Sequence, residues 1–513
     1  MATTTITASP QFAALTQWIE AQTAPLWIVG GAMRDLLYGR PSRDIDLSVA
    51  GDALALARQC ADSQGGHLAT LAPDIARVVF PALGFHVDFV AMQGETLDDD
   101  LARRDFTINA VALPCNAATL RAVIAGDPID RALIIDPYGG QADITAKVLR
   151  LVRPDALSVD PVRILRAARF AAQLDLTPAD EVIRGAQLAT TLLKGAAPER
   201  LVAELCAIFA QPCGTRAMRV LDEMGALTAL VPPLEPCRGV KQGYLHHWDV
   251  LQHTLEVIDS LDRVVALLEA GREGAPQPAP DIDGHVDPPT AIDLGGHNDD
   301  VLRWLHERSL EGQTRLTMLK LATLFHDSGK PLTAVEIAPD DYRFPGHPEA
   351  GVPLTQPVLS AWRLGRQARR YIETVVACHM RPGQMAGPDG LAGPALRHFF
   401  HDAGGAGLDV VIFSLSDHLA VYGPNPLTRF WISHYAVVAE IVRRYFEESD
   451  QIMPPRLIDG KDLMARYGLA GGPRLGRLIS LVQEAQLDGA ITTRDEAFAL
   501  VEQVMATGDT AIE

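Results

Sequence analysis

Apolar positions in the first 145 residues come in short runs bounded by turn residues: Leu26-Trp-Ile-Val, Ile45-Asp-Leu-Ser-Val, Arg77-Val-Val-Phe and Phe85-His-Val-Asp-Phe-Val. Runs of that length predict strands, and the stretches between them carry helical spacing. From about Lys147 onward the pattern changes. Ala- and Leu-rich segments such as 160–174 and 198–209 repeat their apolar positions at helical spacing, punctuated by Pro and Gly. The expected fold class is an α/β head, a small mixed sheet with helices, followed by all-α domains. Residues 271–300 stand apart. They hold Pro276, Pro278, Pro280, Pro288 and Pro289 with many Gly and Asp, so a mobile surface insertion between two helices is expected there. No internal repeat is visible.

At 513 residues the chain has room for roughly three to five domains. Its 48% apolar and 21% charged residues are globular values and exclude general disorder. A formal net charge of −19 excludes a protein that coats nucleic acid non-specifically, yet a basic groove on an acidic body stays compatible with it. The cysteines (Cys60, Cys115, Cys206, Cys213, Cys237, Cys378) are scattered without CxxC spacing, which points to a reducing cytoplasm. The start lacks a signal-peptide pattern, and no run approaches the ~20 apolar residues that span a bilayer. A soluble, cytoplasmic protein with no membrane partner is expected.

Chemistry concentrates in the head. Ile28-Val-Gly-Gly-Ala-Met-Arg-Asp runs a strand into Gly30 and Gly31, where missing side chains would let backbone N–H groups approach a phosphate. A helix carrying Arg34 then begins. Alone, such a glycine pair is most often a turn. Ser42-Arg-Asp-Ile-Asp-Leu adds Asp44 and Asp46. Two apart on a strand, they project from one face, and carboxylates that close repel unless a cation sits between them. Magnesium bridging both and a nucleoside triphosphate would relieve the repulsion and activate an attacking RNA hydroxyl. Taken alone, the pair also reads as an exposed acidic strand end. Asp88 is open to two readings, a third carboxylate of that site or a solvated edge residue.

Leu101-Ala-Arg-Arg-Asp-Phe-Thr-Ile-Asn-Ala supplies Arg103 and Arg104 as forked donors for phosphate or ribose, with Asp105 and Asn109 able to fix an orientation. Asp136-Pro-Tyr-Gly-Gly-Gln-Ala-Asp reads as a turn against the sheet. In Val159-Asp-Pro-Val-Arg-Ile-Leu-Arg, Pro161 suits a first helical turn, and Asp160 and Arg163 would share a face. Together they offer acceptors and donors for the Watson–Crick edge of a base. A capping Asp beside a surface Arg is the plainer reading of that block alone.

In order, GGAMRD, RDIDL, RRDFTINA, DPYGGQAD, DPVRILRAARF and Pro198-Glu-Arg-Leu-Val-Ala-Glu-Leu resemble the motif series of class II tRNA nucleotidyltransferases and bacterial poly(A) polymerases, over roughly residues 25–235. The resemblance implies a nucleotidyltransferase head at 1–145 and a helical neck at 146–240 that selects nucleotide and binds RNA. By it, Asp44 and Asp46 are catalytic and bind Mg2+. Gly31 and Arg34 hold the triphosphate, Arg104 and Asp105 the ribose, and Asp160 with Arg163 templates the base. Arg166 assists at the phosphates, and Gly30 and Asn109 complete the nucleotide-binding set. The implied activity is template-independent addition of C, and of A if that step survives, to the 3′ end of tRNA from CTP and ATP. Two departures matter. Val159 stands where the family usually has Glu. The flexible loop before the RRD motif also looks deleted, since Phe89-Val-Ala-Met leads through Gln93-Gly-Glu to Thr96, as in members that add only two cytidines.

A second series lies downstream. His253 sits in an amphipathic helix, and His326 and Asp327 end an apolar one that Gly329 breaks. Adjacent His and Asp at a buried helix end are costly unless hydrogen-bonded or metal-bound. His347, His379 and Asp417 follow beside apolar helical stretches. A lone His there would be ordinary, but the ordered series resembles HD metal-dependent phosphohydrolases. That resemblance implies an HD domain at 241–425 with a first metal set of His253, His326, Asp327 and Asp417. His347 and His379 are weaker, as second-metal ligands or phosphate contacts. The divalent metal is of unspecified identity and acts on a phosphomonoester or cyclic phosphodiester. Residues 426–513 read as a helical, RNA-binding tail in which Arg456, Lys461, Arg466, Arg474 and Arg477 outweigh Asp459 and Asp462; a solvated helical face fits equally well. Two rivals to the main reading are a poly(A) polymerase and an HD phosphohydrolase whose head only senses nucleotide.

Overall fold

The computed structural model describes residues 6–275, 280, 285–387 and 390–506. The chain divides into two compact units, Met1–Glu204 with Arg216–Leu230, and Leu205–Thr215 with Val231–Glu513.

In the first unit, helix α1 (Pro10–Glu20) starts where Ser9 Oγ accepts from the Phe12 N–H at 3.2 Å. Six strands follow: β1 (Leu26–Val29), β2 (Asp44–Val49), β3 (His67–Ala72), β4 (Ile75–Phe80), β5 (Phe85–Ala91) and β6 (Ala112–Pro114). They form one mixed sheet of order β3-β4-β5-β2-β1-β6, with β2 and β5 parallel and the other neighbours antiparallel. The helices between them are α2 (Gly31–Leu37), α3 (Ala53–Gln64), α4 (Leu97–Ala102) and α5 (Ala117–Ala125). All the strand runs expected from sequence are present. β3 and β6 escape a sequence reading, the first because its His, Ala and Thr blur the alternation, the second because it is three residues long.

Alternation along β2 sorts its chemistry. Ile45, Leu47 and Val49 enter a core shared with Phe12 and Leu15 of α1, Ala57 and Cys60 of α3, and Leu120 and Val123 of α5. Asp44, Asp46 and Ser48 take the opposite face. The same rule sends Val87 and Phe89 of β5 inward and Asp88 to the face of Asp46, its register partner. Asp88 is therefore no solvated edge residue, and that reading is corrected. β5 lies between β4 and β2, Asp88 is 7% exposed, and Arg77 donates to both of its oxygens at 2.7 Å.

Helices α6 (Arg163–Gln173) and α7 (Pro198–Phe209) follow in the region expected to be helical. The second unit is built on α8 (Val250–Ala270), α9 (Arg315–Thr323), α10 (His347–Ala361), α11 (Arg366–Cys378), α12 (Gly407–Val421) and α13 (Arg429–Glu447). The second half is mostly helical, as expected, with short two-stranded ladders between helices, such as Val335–Ala338 with Asp341–Arg343, turned by Asp340 at φ 61°. Two expectations need correction. Part of the expected surface insertion is anchored to the fold: Ile292 and Leu294 are 2% and 0% exposed, while 287–288, 290 and 295–296 stay at the surface. Asn298 Nδ2 donates to the Leu268 and Ile292 carbonyls, satisfying the loop backbone. Pro276 and Pro278 lie outside the described residues. Finally, 393–421 is long and apolar enough to cross a bilayer, with a mean hydropathy of 1.2 in its most apolar window, but 72% of that window is buried within the fold. It is a core element whose length shows only once the turn at Gly404–Ala406 links two helices.

The tail carries a small separate core of Ile458, Leu463, Leu478, Val482, Phe498 and Val501. Arg466 of its basic set pairs with Glu502 at 3.0 Å and lies 4.2 Å over the Phe498 ring.

Candidate active site and candidate metal centre

All the transferase-site residues expected from sequence border one cavity of about 650 Å³ in the first unit. Seven arginines line it (Arg34, Arg103, Arg104, Arg163, Arg166, Arg169 and Arg200), a concentration of positive charge that the acidic chain total hides. Its floor is the face of β2 that carries Asp44 and Asp46. Gly30 makes that floor possible. Its φ is +69°, and a Cβ there would stand 2.8 Å from Asp46 Oδ2 and 3.2 Å from Arg104 Nη1.

Asp46 accepts a hydrogen bond from the Gly31 backbone N–H and faces Arg104, but burial and the neighbouring Asp44 and Asp88 outweigh both and push its pKa up to about 6. A carboxylate held against that gradient fits a divalent cation as its missing partner. Asp44 Oδ1 lies 2.6 Å from His86 Nε2, its register neighbour on β5. Asp44, His86 and Asp88 each bring a ligand atom within 4.8 Å of the others. His86 and Arg77 escape a sequence reading because only strand register brings them here.

The remaining residues form a hydrogen-bonded frame. Arg34 donates to Asn109 Oδ1 at 3.0 Å and lies 5.0 Å over Phe170. Asp105 is 5% exposed and accepts from the Phe106 N–H at 2.8 Å, Asn109 Nδ2 at 2.9 Å and Arg166 Nε at 2.7 Å. Burial pushes its pKa up, but Arg166 and Asn109 overcome this and hold it below the usual carboxylate range. Asp160 accepts from Arg200 at 3.1 and 2.7 Å, and Arg163 lies 3.7 Å away while donating to the Arg103 carbonyl at 2.8 Å. Asp160 ends the short helix Ala156–Val159, before α6 begins at Arg163. The turn at Pro161, not a shared helix face, brings the two together. Arg200 lies in the Pro198-Glu-Arg-Leu block, but sequence alone does not place it at the site, because its partner Asp160 is 40 positions away. Val159 is 72% exposed. The connection from β5 to α4 is only residues 92–96, closed by a Thr96–Asp99 capping box and by the Gln93 N–H donating to Asp100 at 3.0 Å.

In the second unit α8 carries His253, the turn after α9 carries His326 and Asp327, and His347, His379 and Asp417 come from the start of α10, the end of α11 and α12. Gly329 allows this, since a Cβ there would lie 2.1 Å from the His347 carbonyl oxygen. His253, His326, Asp327, His347 and His379 are each at most 5% exposed. His253 Nε2 lies 2.8 Å from Asp417 Oδ1, and His326 Nε2 lies 3.1 Å from Asp327 Oδ2. Against the upward push of burial, His326 and Lys330 hold the Asp327 carboxyl well below the usual range, and His253 and His326 do the same for Asp417. All four residues of the expected first metal set thus converge. A cavity of about 560 Å³ opens onto the cluster, with Phe344, Tyr422, Phe430, Lys330 and Arg343 in its lining. Lys330, absent from the sequence reading, is 2.7 Å from Asp327 Oδ2 and donates to Gln242 Oε1 at 2.7 Å.

A carboxylate pair on the open face of a mixed sheet, beneath an arginine-lined cavity, defines a nucleotidyltransferase. Residues 84–150 match the poly A polymerase head domain, and residues 180–237 match the probable RNA and SrmB-binding site of polymerase A. The chain is 32% identical over 487 residues to the A-adding tRNA nucleotidyltransferase of Deinococcus radiodurans, covering 93% of this chain and 94% of that one. It is 28% identical over 484 residues to the CC-adding tRNA nucleotidyltransferase of Thermus thermophilus, covering 92% of each. The solved complex of a CCA-adding enzyme with CTP shares the fold at a TM-score of 0.56 and 19% identity, over 99% of this chain and 98% of that one. The chain belongs to the tRNA nucleotidyltransferase family.

Proposed function

We propose that this protein lengthens the 3′ end of tRNA in the cytoplasm without a template, transferring C from CTP or A from ATP and releasing pyrophosphate. The observation that carries the proposal is the placing of Asp44 and Asp46 on one cavity-facing side of β2, within a chain 32% identical to a named tRNA nucleotidyltransferase. Magnesium bound by these carboxylates supplies charge neutralisation at the triphosphate and makes the attacking ribose hydroxyl more acidic. The chain's own residues do the rest. Gly30, Gly31 and Arg34 bind the triphosphate. Arg104 faces the ribose, and Asp105 holds Arg166 towards the phosphates through their 2.7 Å bond. Asp160 and Arg163 select the base, and because Arg200 engages both Asp160 oxygens, an incoming base must share or displace that contact.

The short 92–96 connection supports a partial series that stops after the two cytidines, and a relative named as CC-adding is among those above. A poly(A) polymerase and a nucleotide-sensing head are not favoured, because these relatives are named for tRNA and for nucleotide addition. The organisation carried with the proposal is a head at 1–145, a neck at 146–240, an HD domain at 241–425 and a tail at 426–513. The direct test is incubation of tRNA lacking its 3′ end, tRNA ending in the two cytidines and complete tRNA, with CTP alone, ATP alone and both. Extension by one to three residues supports the proposal, and its dependence on CTP or ATP says which nucleotides are added. A long A tail would favour the polymerase, and no extension of any tRNA would refute it.

A second activity is supported by the buried cluster of His253, His326, Asp327 and Asp417, hydrolysis of a phosphomonoester or cyclic phosphodiester. A divalent ion bound there supplies a more acidic water and polarises the phosphoryl group. Arg343, an exposed lining residue of the cavity, is placed to bind the ester oxygens, while Lys330 is held by Asp327 and Gln242.

A further inference from the structure

The wall of the transferase cavity holds a further buried carboxylate, Asp100 of α4, 6% exposed. Its two oxygens are engaged separately. Oδ1 accepts from the Gln93 backbone N–H at 3.0 Å and closes the 92–96 connection. Oδ2 accepts from Arg104 Nη2 at 3.2 Å and from Ser48 Oγ at 3.3 Å. Ser48 is 1% exposed and shares the β2 face of Asp44 and Asp46. A carboxylate this buried is costly unless donors meet its oxygens, and here three do. They come from β2, from the connection and from just beyond α4, so Asp100 is fixed from three sides.

Arg104 is held less completely. It lies past the end of α4 at Ala102, and its guanidinium faces Asp46 as well as Asp100. Its Nη1 is 3.2 Å from where a Cβ on Gly30 would stand, beside the turn expected to receive phosphate. Its Nε is buried and has no hydrogen-bond partner among the described residues. An orphaned donor in a cavity wall is matched by an oxygen of the cavity's ligand. With Asp46 as its only counter-charge, the guanidinium would settle on that carboxylate and turn its fork away from the ligand. Asp100 prevents this by taking Nη2. We propose that Asp100 is a positioning residue for nucleotide binding, which clamps Nη2 of Arg104 and aims the remaining nitrogens of the fork at the bound nucleotide. This rests on reading the cavity as the nucleotide site. Because the Gln93 N–H and Arg104 bind opposite oxygens of one carboxylate, the connection and the guanidinium are fixed together.

The test is a double-variant cycle on the full-length chain, read by equilibrium titration with CTP and, separately, ATP in magnesium without tRNA. Asp100→Asn keeps an oxygen for the Gln93 N–H and puts an amide where Arg104 and Ser48 now donate. It should weaken binding of the nucleotide that the parent takes about tenfold, and Arg104→Gln should weaken it at least as much. In the Arg104→Gln background, Asp100→Asn should change binding by less than about twofold, because a residue acting only through Arg104 then has nothing to position. Ser48→Ala removes one donor and leaves the carboxylate. It should weaken binding roughly two- to fivefold, and it carries the test if circular dichroism shows Asp100→Asn unfolded. A loss from Asp100→Asn that persists undiminished in the Arg104→Gln background would overturn the positioning role while the transferase reading stands. So would unchanged binding in Asp100→Asn, or in Ser48→Ala should Asp100→Asn not fold. A parent that binds neither CTP nor ATP would instead sink the transferase reading.

Discussion

Asp46 carries an electrostatic cost whose removal makes a sharp experiment. In the cation-free protein, burial with Asp44 and Asp88 beside it moves its pKa from 3.8 to about 6. At 1.36 kcal/mol per pKa unit this sets an upper bound of roughly 3 kcal/mol. Screening at the cavity mouth lowers it to about 1–2 kcal/mol. The sign follows from proton uptake. Between about pH 4 and pH 6 the folded protein keeps a proton that the unfolded chain has released, so the cost is absent below that window and full above it. Asp46→Asn keeps an oxygen for the Gly31 N–H and removes the charge. At pH 8 with chelator, the unfolding transition of the first unit should rise by about 2–8 °C in the variant. The gap should shrink to roughly half at pH 5. Magnesium should then raise the parent alone, by RT ln(1 + [Mg]/Kd), and close the gap. Scanning fluorimetry over a pH series reads all three. A variant no more stable than the parent at pH 8, or a gap independent of pH, would refute the reasoning.

Gly30→Ala forces a Cβ to within 2.8 Å of Asp46 Oδ2 on a backbone at φ +69°. Denaturant titration should show a loss of about 1–3 kcal/mol, and nucleotide incorporation should fall at least tenfold. Arg200→Ala frees both Asp160 oxygens from a partly exposed pair. Stability should change by less than about 1 kcal/mol, while the ratio of kcat/KM for CTP to that for ATP shifts severalfold; an unchanged ratio would remove Arg200 from base selection. Arg315→Met strips Asp409, 0% exposed, of a guanidinium 3.2 Å away. Urea unfolding should show a loss of about 3–5 kcal/mol, largely recovered by adding Asp409→Asn. Because burial already pushes the Asp409 pKa up to about 7, that loss should be larger at pH 8 than at pH 6.

The first unit was most legible where chemistry is local. Period-two alternation in Asp44-Ile-Asp-Leu-Ser-Val separates core from site face without any knowledge of neighbours, and the β1 to α2 turn is written in Gly30-Gly31. What sequence spacing cannot supply is register. His86, Asp88 and Arg77 join the carboxylate site only because β5 runs parallel to β2 and antiparallel to β4. Arg200 reaches Asp160 across 40 positions of chain. The same limit applies to the histidine cluster. The order of His253, His326, Asp327, His347, His379 and Asp417 is legible along the chain, whereas the 3.1 Å approach of His347 to His379 and the contacts of Asp327 with His326 on one side and His347 on the other exist only in the packed helices. Residues 285–300 misled for another reason: their Pro and Gly content describes a loop correctly but says nothing of Asn298 fastening that loop to α8.

The proposed transfer requires that the carboxylates of β2 grip a cation that delivers a nucleotide to an RNA end. Single-turnover incorporation of labelled CMP and AMP into 3′-truncated tRNA, by the parent, Asp44→Asn and Asp46→Asn across a magnesium titration, tests it most directly. Loss of several kcal/mol of transition-state stabilisation predicts a fall of about 10³-fold or more in each variant, at every magnesium concentration, with the fold intact. Incorporation by either variant within tenfold of the parent would contradict it.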